Sequence, residues 1–136
     1  MKKVKTAYLI GTWLFGIICG FGHLSFELFA PKPTEIVNSM SQMIVALPGR
    51  EMDMLSINFG ISVIVGVLLL AFGFLNLIIV KNIDSQILLK KLIYTNIVVI
   101  IMCILLIVKY LFVGPVVFMV LALISFLRAA FLVKNI

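Results

Sequence analysis

The sequence TAYLIGTWLFGIICGFGHLSFELFA occupies residues 6–30 and is followed by two prolines, Pro31 and Pro33. At about 100° per residue, the small and ionisable residues of this segment share one side of a helix. They are Thr12, Gly16, Cys19, Gly20, His23 and Glu27. The opposite side carries only hydrocarbon: Leu14, Ile17, Ile18, Phe21, Leu24 and Leu28. The first side is suited to contact other helices and the second to contact lipid, so the segment predicts a membrane helix with one interior face.

The composition extends this prediction to the whole chain. Of 136 residues, 64% are hydrophobic and 12% are charged, whereas a soluble domain has about 45–50% apolar and about 25% charged residues. A run of about 20 apolar residues is long enough to cross the roughly 30 Å hydrocarbon core of a bilayer. We therefore predict an all-α, integral membrane four-helix bundle forming a single domain, 1–136. The predicted spans are 6–30, 55–80, 89–112 and 114–133.

Basic residues predict the orientation of these spans. The net charge of +6 comes from residues at the span ends without interleaved aromatics, which argues against nucleic acid as a partner. Eight of the basic residues fall on one side, namely Lys2, Lys3, Lys5, Lys81, Lys90, Lys91, Arg128 and Lys134. Three fall on the other, namely Lys32, Arg50 and Lys109. The positive-inside rule then predicts cytoplasmic N and C termini and an outer first loop.

A cleaved signal peptide ending at Ala30 is the alternative interpretation of the N-terminal segment. Its apolar stretch is longer than the usual h-region of about 7–15 residues, and Glu27, Leu28 and Phe29 do not fit a small-residue cleavage site. A membrane helix is therefore the better prediction for residues 6–30.

The outer loop predicts a short amphipathic helix over residues 34–47. Thr34 is a suitable N-cap, and the helix would end at Pro48-Gly49. Its apolar face would comprise Ile36, Val37, Met40, Met43, Ile44 and Leu47. Such a helix lies in the membrane interface, either as a lid over the bundle or as a connector resting on lipid.

The remaining spans also have interior faces. On the second span the face contains Asn58, Ser62, Gly66, Leu69, Gly73 and Asn76, and on the third it contains Asn96, Ile100, Cys103, Ile107 and Tyr110. Small residues allow close helix packing, and amides can bond across helices. We therefore assign helix packing to Gly16, Gly20, Gly66, Gly73, Asn76 and Asn96. The two cysteines, Cys19 and Cys103, lie inside apolar runs and predict neither a disulfide framework nor a redox motif.

Four polar residues of the outer half form the candidate site: His23, Glu27, Asn58 and Tyr110. An ionisable group inside a span is costly and is by default a hypothesis of function. His23 and Glu27 are one turn apart and within reach of a direct hydrogen bond. Met40 and Met43 of the loop helix would close over an apolar ligand. We predict no metal, because one His, one Glu and one thiol are too few ligands for zinc, and no cofactor or catalytic motif is apparent.

Several short motifs carry a resemblance. Gly22-His23-Leu24, then Pro33-Thr34-Glu35 and Met40, followed by a glycine-spaced second span, resemble a family of small four-helix bacterial membrane proteins with no assigned activity. A looser likeness is to the DoxX-like proteins. The resemblance implies a bacterial inner (plasma) membrane protein. Small multidrug-resistance transporters also have a first-helix glutamate, but theirs is deep in the membrane, so no transport residues are carried over to Glu27.

The sequence thus leaves three functional hypotheses. The first is a non-enzymatic protein that binds a lipid or small amphiphile in an outer cavity. The second is a structural or accessory subunit whose glycine faces point outward to another chain. The third is a proton-coupled transporter or intramembrane enzyme in which a water path reaches His23. The expected partners are membrane lipids, a small amphiphilic ligand and the other subunits of a homo- or hetero-oligomer.

Overall fold

The computed structural model describes the backbone of residues 1–110 and 114–134, with side chains for 1–108 and 115–134. Within these residues, four helices are long and apolar enough to cross a membrane. They are α1 (Lys2–Phe29), α3 (Met54–Asn82), α4 (Gln86–Tyr110) and α5 (Gly114–Lys134). The predicted all-α four-helix membrane fold is confirmed. The end predicted for the third span, residue 112, lies outside the described residues.

The side chains on the outside of the bundle are those of a protein surrounded by lipid. Leu68, Leu105 and Phe131 are each more than half exposed, and they belong to three different spans. A soluble protein seldom exposes apolar surface on this scale, because water makes it unfavourable. The chain is therefore a small multi-pass membrane protein.

The loop between α1 and α3 differs from the prediction. The amphipathic helix α2 covers only Thr34–Gln42, so the predicted helix over 34–47 was too long. Strands β1 (Ile44–Leu47) and β2 (Arg50–Asp53) follow and pair antiparallel, with Leu47 opposite Arg50. Pro48 followed by Gly49 at φ 89° is the residue pair of a type II turn. Pro48-Gly49 therefore turns a hairpin rather than ending a helix.

The first helix is the centre of the bundle. It packs along α3 on one side and along α5 on the other, while α4 packs mainly on α5. Consecutive helices α3 and α4 thus share few contacts of their own. The middle of α1, Trp13–Ile18, is a π-helical segment, in which backbone bonds run from i to i+5 instead of i to i+4.

Glycines determine how closely α1 approaches α3. A Cβ added at Gly16 would lie 2.3 Å from the Cα of Gly73, which is backbone against backbone. At Gly20 and Gly66 the added atom would lie 2.9 Å and 2.6 Å from leucine side chains of the facing helix. All four glycines assigned to helix packing therefore lie in this one interface. Close approach of this kind is how small residues promote helix association in lipid.

A cluster of polar side chains joins α1, α3 and α4 toward the end of the bundle that holds the N terminus. The Tyr8 hydroxyl donates to Asn76 Oδ1, and Asn96 Nδ2 donates to the Tyr8 oxygen (2.8 Å) and to Asn76 Oδ1 (3.1 Å). All three side chains are buried. The Tyr8 ring also packs on Phe126 of α5, with ring centres 5.3 Å apart. Asn76 and Asn96 therefore bond across helices, and the four spans converge at this level.

A side-chain cap begins α3 immediately after the hairpin. Asp53 accepts hydrogen bonds from the backbone N–H and the hydroxyl of Ser56, at 2.8 Å and 2.7 Å. These bonds, the hydroxyl first, hold the pKa of the Asp53 carboxyl below its usual value. A lowered pKa in the folded state means that the cap stabilises the fold at neutral pH. That stabilisation is lost as the pH falls through the lowered pKa.

We expect Asp53→Ala to loosen the first turn of α3, because a capping carboxylate satisfies an otherwise unpaired N–H. Hydrogen exchange at pH 7 should show severalfold faster exchange in residues 54–57. Glu51→Ala, which changes an exposed acidic residue of the same strand, is the control. Equal exchange in the two variants would contradict a capping role for Asp53.

Candidate functional site

The candidate site begins with a hydrogen-bond chain between α1 and α3. His23 Nε2 lies 2.9 Å from the carbonyl oxygen and 3.0 Å from the hydroxyl of Ser62. The same hydroxyl donates to Glu27 Oε2 at 2.9 Å. A serine hydroxyl has a single proton, and here it is directed to Glu27. His23 is therefore the donor through Nε2, an assignment that follows from the hydrogen-bond network.

This arrangement differs from the predicted direct bond between His23 and Glu27. The two side chains are linked through Ser62 instead. Ser62 belongs to the predicted interior face of the second span, but nothing in the sequence singles it out from that face. Because the serine proton points away from the histidine, the trio lacks the nucleophile–base geometry of a Ser-His-acid triad.

Glu27 also forms an ion pair at the end of its helix. Lys32 Nζ donates to Glu27 Oε1 and lies 5.1 Å from the centre of the Phe59 ring, over its face. The Glu27 side chain is 10% exposed and that of Lys32 is 33% exposed. Lys32 lies past the end of α1, five residues from Glu27, so helical periodicity does not reveal the pair. A carboxylate and an ammonium group are therefore held together beside an aromatic ring at the end of α1.

A pocket of about 210 Å³ opens beside this ion pair. Helices α1, α2 and α3 and the segment that joins the first two supply its walls. Its lining residues are Phe26, Glu27, Ala30, Pro31, Lys32, Pro33, Ile36, Met40, Leu55 and Asn58. Most of these are apolar, so the polar groups of Glu27, Lys32 and Asn58 stand out as the ones that would orient a ligand.

The structure brings some predicted site residues together and separates others. Glu27, Asn58 and Met40 line the pocket. His23 does not line it, and its hydrogen-bond connection to Glu27 runs through Ser62. Met43 follows α2 in extended backbone and is 55% exposed. Met43 is not among the lining residues of the pocket, and the longer helix on which its contact with a ligand was predicted ends at Gln42. The Tyr110 side chain lies outside the described residues.

The close glycine contacts separate this site from the polar cluster of Tyr8, Asn76 and Asn96. The contacts of Gly16 with Gly73, of Gly20 with Leu70 and of Gly66 with Leu24 all lie between the levels of Asn76 and Ser62 on α3. Backbone and leucine atoms make the closest contacts there, and the carbon Cδ2 of His23 lies 3.2 Å from a Cβ added at Gly66, so the interface at this level is closely packed. The two polar clusters are therefore distinct features of the bundle.

The donor set of the site does not suggest a metal. Among the described residues, no three His, Cys, Asp or Glu side chains come together. The groups at hand are one imidazole, one carboxylate and one ammonium group, which are suited to hydrogen bonding and ion pairing with an organic ligand.

Comparison with models of protein families, with curated proteins and with solved structures finds no match to this chain.

Proposed function

We propose that the outer pocket binds the polar end of a lipid or of another small amphiphile, and that the protein acts by binding rather than by catalysis. One observation carries the proposal: the Glu27–Lys32 ion pair and Asn58 lie in the wall of an otherwise apolar pocket. A ligand with both a charged end and an apolar body fits such a lining. The apolar part of the ligand would continue onto the lipid-facing surface of the bundle.

The size of the pocket favours a headgroup over a whole lipid. Its volume of about 210 Å³ is below the roughly 300–1,000 Å³ of pockets that enclose drug-sized ligands. Only the polar end of an amphiphile would therefore enter. Since Glu27 and Lys32 carry opposite charges, a zwitterionic end would replace each half of their ion pair with a new partner.

Each residue then has a role in this proposal. Lys32 pairs with an anionic group, and Glu27 accepts hydrogen bonds from a cationic or hydroxyl group. Asn58 can donate and accept at the same wall. Met40, a flexible side chain on α2, adapts to the apolar part of the ligand. His23 positions Glu27 through Ser62 without lining the pocket.

The accessory-subunit hypothesis has less support. It required glycine faces turned toward another chain, yet Gly16, Gly20, Gly66 and Gly73 contact residues of this chain. The transporter or enzyme hypothesis required water at His23, whereas the Nε2 of that residue is used by Ser62. A binding protein is therefore the proposal that best uses the observed contacts.

The proposed location is a bacterial inner membrane with cytoplasmic termini, as the resemblance and the basic residues predict. Eight of the eleven basic residues are at the end of the bundle that holds the N terminus. Such a bias favours retention of that end in the cytoplasm.

Native mass spectrometry of the detergent-purified protein tests the proposal. We expect the wild-type protein to retain a small molecule. The double variant with Glu27→Gln and Lys32→Gln should retain at least tenfold less of that molecule. Loss of two charge-assisted bonds would account for such a change. Glu35→Gln changes an exposed carboxylate of α2 that does not line the pocket, and it should retain the molecule as the wild type does.

Two results would overturn the proposal. One is wild-type protein without a bound molecule under conditions that preserve its fold. The other is equal retention in the double variant and the wild type. A polypeptide that co-purifies in stoichiometric amount in place of a small molecule would instead support the accessory-subunit hypothesis.

A further inference from the structure

A second and larger cavity lies at the opposite end of the bundle. It is an open groove of about 750 Å³ between the end of α3 and the start of α4. Its apolar wall comprises Ile78, Ile79, Ile83, Leu88 and Leu92. Its polar residues are Asn82, Asp84, Ser85, Lys91 and Thr95. The volume is in the range of pockets that bind small molecules.

The path of the chain explains why the groove is open. Only residues 83–85 join α3 to α4, yet the two helices pack mainly on α1 and α5. They bond to each other through Asn76 and Asn96, which are deeper in the membrane. Between that bond and the connection, isoleucine and leucine side chains face the gap. Several of them are largely exposed, including Ile78 at 59% and Leu88 at 56%.

The charge around the groove is strongly positive. Among the described residues, the end of the bundle at which the groove lies carries eight Lys and Arg side chains and one acidic side chain, Asp84. The Asp84 side chain is 98% exposed and lies 3.8 Å from Lys5 Nζ, so it faces solvent and has a basic neighbour. Lys91 is the basic residue in the groove lining. Anionic groups are therefore attracted to a groove whose walls favour hydrocarbon.

We propose that this groove is a binding site for an acidic phospholipid. An acyl chain would lie along the isoleucine and leucine wall, and the phosphate would meet Lys91, with the hydroxyl of Ser85 as a donor near the start of α4. Basic pockets between membrane helices bind anionic headgroups through this combination of charge and apolar surface. The site shares no residue with the outer pocket, so it does not depend on the function proposed for that pocket.

Native mass spectrometry with added phosphatidylglycerol and phosphatidylcholine tests this site. We expect wild-type protein to bind phosphatidylglycerol in preference to phosphatidylcholine. Lys91→Gln should lower that preference about fivefold, because it removes a charge-assisted hydrogen bond to the phosphate. Leu88→Trp should lower binding of both lipids by filling the groove. Asp84→Asn, which removes the acidic side chain, should raise the preference for phosphatidylglycerol.

Lys134→Gln is the matched control, because it removes one charge from the same end of the bundle outside the groove. It should leave the lipid preference unchanged. An equal loss in Lys134→Gln and Lys91→Gln would show a general charge effect and overturn the site. A dimer that forms through this face and excludes lipid would also overturn it. Size-exclusion chromatography of each variant verifies that the bundle is folded.

Discussion

Gly16→Ala is expected to destabilise the bundle by about 3 kcal/mol, the upper part of the range for overpacking a closely packed interior. The new methyl group would lie 2.3 Å from the Cα and 2.8 Å from the backbone nitrogen of Gly73. A flexible side chain could rotate away from such a contact, but the backbone of α3 cannot. The two helices must therefore separate, and they lose dispersion contacts along the interface.

Gly22→Ala provides the matched control in the same helix. Apart from its chain neighbours and the adjacent backbone of its own helix, no described atom lies within 4 Å of a Cβ added at Gly22, so this substitution should leave stability almost unchanged. Unfolding in detergent by added dodecyl sulfate, followed by circular dichroism and by the fluorescence of the single tryptophan, Trp13, measures the difference. Equal midpoints for the two variants would contradict the close contact between Gly16 and Gly73.

Asn96→Asp is expected to have a comparably large effect, about 3 kcal/mol, the cost of a charged residue near the centre of a membrane helix. Asn96 is 1% exposed. Its Nδ2 faces three oxygen acceptors: the Tyr8 hydroxyl at 2.8 Å, Asn76 Oδ1 at 3.1 Å and the Leu92 carbonyl at 2.9 Å. A carboxylate of the same shape would direct an oxygen at these three oxygens. Its other oxygen would replace Asn96 Oδ1, which has no hydrogen-bond partner among the described residues.

Two further variants separate the contributions to this effect. Asn38→Asp introduces the same charge on the exposed surface of α2 and should be close to neutral. Asn96→Leu removes the interhelical bonds without adding charge and should cost about 1 kcal/mol, as membrane hydrogen bonds contribute modestly. The same detergent unfolding measurement applies. An Asn96→Asp variant no less stable than Asn96→Leu would show that the cluster is not isolated from water.

The spans could be predicted from the sequence because membrane insertion depends on length and hydropathy, both of which are local properties. Residues at the helix contacts could also be identified from the sequence, since Gly16, Gly73, Asn76 and Asn96 lie on faces that follow from helical spacing. The physical reason is that lipid tails do not drive helices together. A polar or small residue on a membrane helix therefore has few roles other than contact with another helix.

The candidate site around Glu27 could be predicted only in part. Glu27 was visible as an ionisable group in an apolar helix, but its partner Lys32 lies beyond the helix end, where periodicity gives no direction. Ser62 comes from a different helix, so its contact with His23 depends on tertiary packing. The hairpin after Gln42 was missed because Pro48-Gly49 suits a helix end and a tight turn equally well.

The π-helical segment of α1 shifts the phase between the two halves of its helix. Regular α-helical spacing would carry one face unbroken from Tyr8 to Glu27. The wider turn at Trp13–Ile18 lies between the two polar regions of the helix: before it Tyr8 contacts Asn76 of α3 and Phe126 of α5, and after it His23 contacts Ser62 of α3. The number of residues in this segment thus fixes how the two polar clusters are rotated relative to each other about the axis of α1. A substitution near one membrane surface alters one cluster alone, whereas an insertion or deletion at the centre of α1 rotates one cluster relative to the other.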